Sequence, residues 1–180
     1  MNCRAPPATT LISTTREVFM SPRSSRIRNI FEPLDTSLIA KMWQERFGIP
    51  EPAFTGYKFF RKAQSIWAIS DVDLPRLSYE TIGMRIMSCK DRPWKPTTSA
   101  LQIFGRYAAK NLIHLNREEA MIFLEGGSQV FESDCEIGYV VVFYRGDVLG
   151  CGLYSHGKLV SQIPKERRMA STVKSEACPV

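Results

Sequence analysis

An α+β architecture is expected from three observations. Two stretches, 35–47 and 116–124, place apolar residues at helical spacing directly behind a residue able to cap a helix. Two short runs, YKFFRK (57–62) and SIWAIS (65–70), sit close enough together to pair as a hairpin. Finally, 138–163 (GYVVVFYRGDVLGCGLYSHGKLVSQI) alternates apolar runs with very short turns, the pattern of an antiparallel meander.

Taken in order, residues 1–29 hold Ser, Thr, Pro and Arg with no sustained apolar period, and read as a flexible basic extension. Met20 offers a second start within it. From Asp35 the pattern turns helical, with Leu38, Ile39, Met42 and Phe47 recurring, Asp35 or Thr36 as cap, and Gly48 with Pro50 as the stop. The hairpin 57–70 comes next, joined at Ala63-Gln64, which are not usual residues for so short a turn. GMRIMSC (83–89) reads as a third strand. After the loop KDRPWKP, Pro96 is placed to open a helix over 97–107 with Leu101 and Phe104 inward. NLIHL (111–115) is a short strand. Asn116 and Glu119 then form a capping-box pair, and Ala120, Ile122, Phe123 and Leu124 are assigned to the buried side of the helix. Gly126-Gly127 ends that helix, SQVFE (128–132) is extended, and the meander closes the fold.

Bulk properties narrow the function. The chain has 180 residues, 44% of them hydrophobic and 23% charged, ordinary values for a globular protein. No apolar run approaches the roughly 18–20 residues of a membrane helix, and there is no secretory h-region, so a cytoplasmic location and no membrane partner are expected. Cys3, Cys89, Cys135, Cys151 and Cys178 include no C-x-x-C pair, and with only His114 and His156 beside them neither a metal site nor a cofactor is implied. Cys151 has no recognisable base to activate it, so no catalytic residue is assigned. The acid pairs Asp71/Asp73 and Glu118/Glu119 read as loop and helix first turn.

The net charge of +6 is uneven. Residues 1–29 carry +4, residues 158–168 carry +3, and the middle, 30–157, carries −1. Excess cation at two places suits an anionic partner met along a patch, and equally a well-solvated surface.

One resemblance sharpens this. LNREEAMIFLEGG, followed by GYVVVFYRGDVLGCGLYSHGKL, resembles the PUA domain, a small β pseudo-barrel of RNA-modifying enzymes and ribosome-associated proteins. With the basic strand and Pro164-Lys165-Glu166-Arg167-Arg168 added, 136–168 is similar to the C-terminal end of Sun/Fmu-type rRNA cytosine-5 methyltransferases, and PTTSALQIFG (96–105) fits the region upstream. The resemblance extends over 31–168. The methyltransferase's Gly-rich S-adenosylmethionine loop and its Pro-Cys and Thr-Cys cysteines are missing; Cys178-Pro179 has the reverse order. The expectation is therefore a small N-terminal α/β domain (30–108) followed by a PUA-like domain (109–168), with a flexible tail (169–180). The resemblance implies a non-catalytic protein that binds structured rRNA or tRNA in RNA modification or ribosome assembly, beside an RNA methyltransferase or a ribosomal particle.

The candidate RNA-binding residues are Arg145, Gly150, Gly152, Lys158, Lys165, Arg167 and Arg168. The cations suit phosphate oxygens. Gly150 and Gly152, two apart on one strand, share a face left bare. That face either bends a small barrel or lets RNA approach closely. Tyr139, Phe143, Tyr144 and Tyr154 have rings able to stack bases, but alternation divides the strand 138–144 between two faces, most of them core. Tyr57, Phe59 and Phe60 interleave with Lys58, Arg61 and Lys62 in a second aromatic–basic ribbon. Two other readings are an accessory subunit of an rRNA methyltransferase and an adaptor that presents Trp43, Trp67 and Trp94 to another protein.

Overall fold

The computed structural model describes residues 31–75, 79–90 and 92–170. The expectations for the extension 1–29, Cys3, Met20, Cys178 and most of the tail lie outside them. The fold is built on two five-stranded sheets.

The first sheet is an antiparallel meander in the order β1 (Glu32–Leu34), β2 (Tyr57–Lys62), β3 (Ser65–Ser70), β4 (Met84–Ser88), β5 (Lys95–Pro96). Helix α1 (Thr36–Phe47) begins where the Asp35 side chain accepts from the Ser37 backbone N–H at 2.9 Å, a bond that holds the Asp35 carboxyl below its ordinary value. It ends at Gly48, whose φ of 67° is left-handed. Ala63 takes a positive φ of 53°, which lets two residues close the β2–β3 hairpin despite the unusual turn sequence. Helix α2 (Thr98–Phe104), capped by Thr97, runs on into a short 3-10 turn.

The second sheet has the order β6 (Leu112–His114), β8 (Gly138–Tyr144), β9 (Asp147–Ser155), β10 (Lys158–Ser161), β7 (Ser128–Val130). All pairs are antiparallel except β6 with β8. Two-residue turns, Arg145-Gly146 and His156-Gly157, join β8 to β9 and β9 to β10, each with positive φ at both positions. Asp147, directly after the first turn, already pairs with Tyr144. Helix α3 (Arg117–Leu124) has both halves of its capping box, Asn116 Oδ1 accepting from the Glu119 N–H and Glu119 Oε2 accepting from the Asn116 N–H. Ala120 and Phe123 are buried, but Ile122 is 41% exposed, a correction to its assignment. The buried stripe runs through Ala120 and Phe123, with half-buried Leu124 beside it, and Ile122 lies off it, against Gly127.

The two sheets share a core. Val140 and Val142 of β8 pack with Phe123, Leu159 and Ile163 on the α3 side. Val141 and Phe143, one residue out of phase, join Cys151 in the other cluster, with Trp43, Phe47, Phe59 and Phe104 of the first unit. Strand β8 is thus covered on both faces, which explains why GYVVVFY is continuously apolar rather than alternating. The chain passes between the units at 108–111 under tight control. Ala109 and Lys110 donate to Phe47 O at 2.8 and 2.9 Å, and Asn111 Nδ2 donates to Arg46 O at 2.6 Å. Arg46 reaches across in turn, donating to Tyr139 O and to Glu136.

Candidate nucleic-acid interface

The predicted site residues do not come together as one patch. Strand β9 has nine residues, which at about 3.3 Å per residue separates its two turns by roughly 26 Å. Arg145 stands at one turn, with its guanidinium over the Tyr144 ring, and Lys158 at the start of β10 beside the other. They cannot serve the same phosphate. Arg167 lies on the exposed 3-10 turn Lys165–Arg167, where Nη1 donates to Ser99 Oγ at 2.9 Å.

The glycine proposal needs correction. Gly150 and Gly152 are both buried. A Cβ on Gly150, whose φ is +152°, would lie 2.6 Å from Thr98 Cγ2 of α2, and a Cβ on Gly152 would lie 2.7 Å from Leu159 Cδ1 and 2.9 Å from Val142 Cγ2. Close approach is indeed what these glycines permit, but the visitors are the protein's own helix and core. No face is left for RNA at either position.

The aromatic alternatives also resolve. Tyr154 is buried and its hydroxyl donates to Ser133 O at 3.0 Å. Phe143 is buried beneath a stacked His114, whose place is exposed and on an outer strand. In the 57–62 ribbon, Phe59 is core, Lys58 is paired with Asp71 and Asp73, and Arg61 with Glu32. The tryptophan patch is overturned. Trp43 is fully buried, donates to Met87 Sδ at 3.4 Å and packs on Phe47, Phe54, Trp94 and Phe104; Trp67 and Trp94 are half-buried.

Lys165 and Arg168 belong to a different arrangement, a cleft of about 500 Å³ between the two units. One wall comes from the first unit: Arg85 and Ser88 of β4, Lys95 of β5 and Thr98 at the start of α2. The other comes from the end of β10 and the residues just after it: Ser161, Gln162, Lys165 and Arg168. Among the described residues no carboxylate lines the cleft, and none of its four cations is ion-paired. Lys95 Nζ donates to Gln162 Oε1 at 2.6 Å, tying wall to wall. Arg168 Nε donates to Ile163 O at 3.1 Å, which fixes its guanidinium and leaves the two terminal nitrogens to other acceptors. Thr98 is only 6% exposed, and its Oγ1 has no hydrogen-bond partner among the described residues.

Arg85 and Lys95 were not foreseen. The near-neutral charge of 30–157 concealed them, because the acids that balance it are engaged elsewhere: Glu32 on Arg61, Asp71 on Lys58, Glu136 on Arg46. Alternation alone would have misplaced Arg85, since it puts it on the face of the buried Met87. The register shift opposite Ile66 and Trp67 breaks that alternation, so Ile86 and Met87 are both buried and Arg85 is exposed.

Nucleophilic chemistry has no footing at Cys151, which is buried and whose thiol desolvation pushes up to about 12. Among the described residues no group of three His, Cys, Asp or Glu side chains is placed to hold a metal, and no helix is long and apolar enough to cross a membrane.

No curated protein matches the chain. Residues 110–169 match the family model described as Methyltransferase RsmF PUA domain; residues 31–109, to which the resemblance was extended, lie outside the match. This stretch takes in β6 to β10, the capped helix α3 and the 3-10 turn that leads to Arg168. Residues 110–169 are a PUA-like domain of the kind carried by Sun/Fmu-type methyltransferases.

Proposed function

We propose that this protein binds structured RNA, rRNA or tRNA, without performing chemistry on it, in RNA modification or ribosome assembly in the cytoplasm. The observation that carries the reading is the cleft between the units. Arg85, Lys95, Lys165 and Arg168 converge there with no carboxylate among the described residues, directly beside a domain type associated with RNA-modifying enzymes. Four cations without local counter-charge form a natural seat for a polyanion. The experiment is filter binding of the full chain to tRNA and to rRNA helices at two salt concentrations. Four phosphate contacts predict a slope of log K against log salt of roughly −3 to −4, at about 0.7 per phosphate on a single strand and about 0.9 on a duplex. Absence of binding at about 50 mM salt, where such contacts are strong, refutes the reading.

The methyltransferase domain match favours a second reading, an accessory subunit that positions RNA for a catalytic partner. Calorimetric titration with S-adenosylmethionine tests whether the chain itself takes part in methyl transfer. A purely RNA-binding chain gives no heat alone, and binding of the methyl donor by this chain would assign it a direct part in the reaction.

A further inference from the structure

We infer that the cleft is a two-walled clamp for the sugar-phosphate backbone of RNA, indifferent to base sequence, and that half of its cations are supplied from outside the PUA-like domain. The inference rests on the RNA-binding reading and goes beyond it by naming what part of the RNA enters and which residues receive it.

The lining chemistry argues for backbone. Base recognition calls for a flat aromatic or guanidinium platform, or for paired donors and acceptors held against a base edge. Among the described residues the cleft has no aromatic side chain, and of its two guanidinium groups that of Arg168 is tied by Nε to Ile163 O. Its polar groups are cations, hydroxyls and one side-chain amide. This donor-rich, acid-free set matches the demands of phosphate oxygens and ribose hydroxyls. The cleft, of about 500 Å³, is half-open to solvent, as the passage of a continuous backbone requires.

The geometry argues for both walls. Arg85 and Lys95 line the cleft from the first unit, and Lys165 and Arg168 line it from the second. Lys95 commits one of its three ammonium donors to Gln162, and its ammonium also lies 5.9 Å from the centre of the Tyr139 ring. Arg168 is already positioned by Ile163 O, so little side-chain entropy remains to be lost when its guanidinium meets phosphate. Thr98 adds a buried hydroxyl, without a partner among the described residues, to the wall of the same cleft.

The test uses the full chain, two structured RNAs of unrelated sequence, and the variants Arg85→Ala, Lys95→Met, Lys165→Ala and Arg168→Ala. Each should lower affinity several-fold and flatten the salt slope by about 0.7–0.9, equally for both RNAs. Inorganic pyrophosphate should compete with RNA in the wild type. Arg85→Lys should recover most of the loss, and Lys158→Ala and Arg145→Ala, neither of which lines the cleft, should lower affinity much less. Thermal unfolding checks that each variant keeps its fold. If Arg85→Ala and Lys95→Met leave affinity and slope unchanged while Lys165→Ala or Arg168→Ala reduces them, the two-walled clamp is wrong and RNA binding by the PUA-like domain stands. Losses that differ between the two RNAs would overturn the claim of indifference to sequence. Failure of the wild type to bind either RNA removes the functional reading itself.

Discussion

Arg168 occupies the space that a side chain on Gly126 would need: a Cβ built on Gly126 overlaps the Arg168 guanidinium. The glycine that ends α3 is therefore also the seat of a cleft cation. Its φ of +85° adds a second reason for glycine. Gly126→Ala should cost on the order of 1–2 kcal/mol, from left-handed strain and displacement of the arginine. It should also weaken RNA binding beyond what the loss of folded protein explains. Denaturant melts and filter binding on the same preparation measure the two effects.

Gly152 gives the opposite pattern. A side chain there meets Leu159, Val142 and Val140 inside the core. Gly152→Val should destabilise by about 1–3 kcal/mol through overpacking. RNA affinity, measured per folded molecule, should be unchanged. A loss of affinity at full stability would restore the glycine to the interface.

The capping box of α3 is a separable stability element. Asn116→Ala removes the acceptor for the Glu119 N–H and should cost about 1 kcal/mol in a urea melt. Asn116→Asp keeps an acceptor and should cost much less.

Cys151 should resist alkylation in the native protein, and mass spectrometry of the labelled peptides should find it modified only after unfolding. Its thiol, pushed up to about 12 by burial, holds its proton when the unfolded chain, near the ordinary thiol value of 9.0, has lost it. Above pH 9 the folded state thus binds the extra proton. Stability is fully present below that point and falls as pH rises towards 12. A melt series across this range that shows no decline attributable to Cys151, tested against Cys151→Ala, contradicts the assignment.

Much of the fold was legible because its local signals agree. Asp35 and Gly48 bracket α1, Asn116 and Glu119 open α3, and the two turns of the meander fall at Arg145-Gly146 and His156-Gly157. The site was legible only in part. Lys165 and Arg168 stood out as a charge cluster near the end of a motif. Their counterparts Arg85 and Lys95 are about 70–80 residues away in sequence, and only the packing of one sheet against the other brings them to the same cleft. The glycines misled for a related reason. Alternation tells which residues share a face, but the cover on that face depends on distant segments, here α2 for Gly150 and β10 for Gly152.

The double coverage of β8 bears on how the molecule can be handled. Cutting before Lys110 to isolate the PUA-like stretch would strip Val141, Phe143 and Cys151 of their neighbours Trp43 and Phe104. The excised piece would offer water a greasy strip along its central strand, and self-association is its natural remedy. Fragments made for binding assays should retain α1 and α2, or carry polar replacements at Val141 and Phe143.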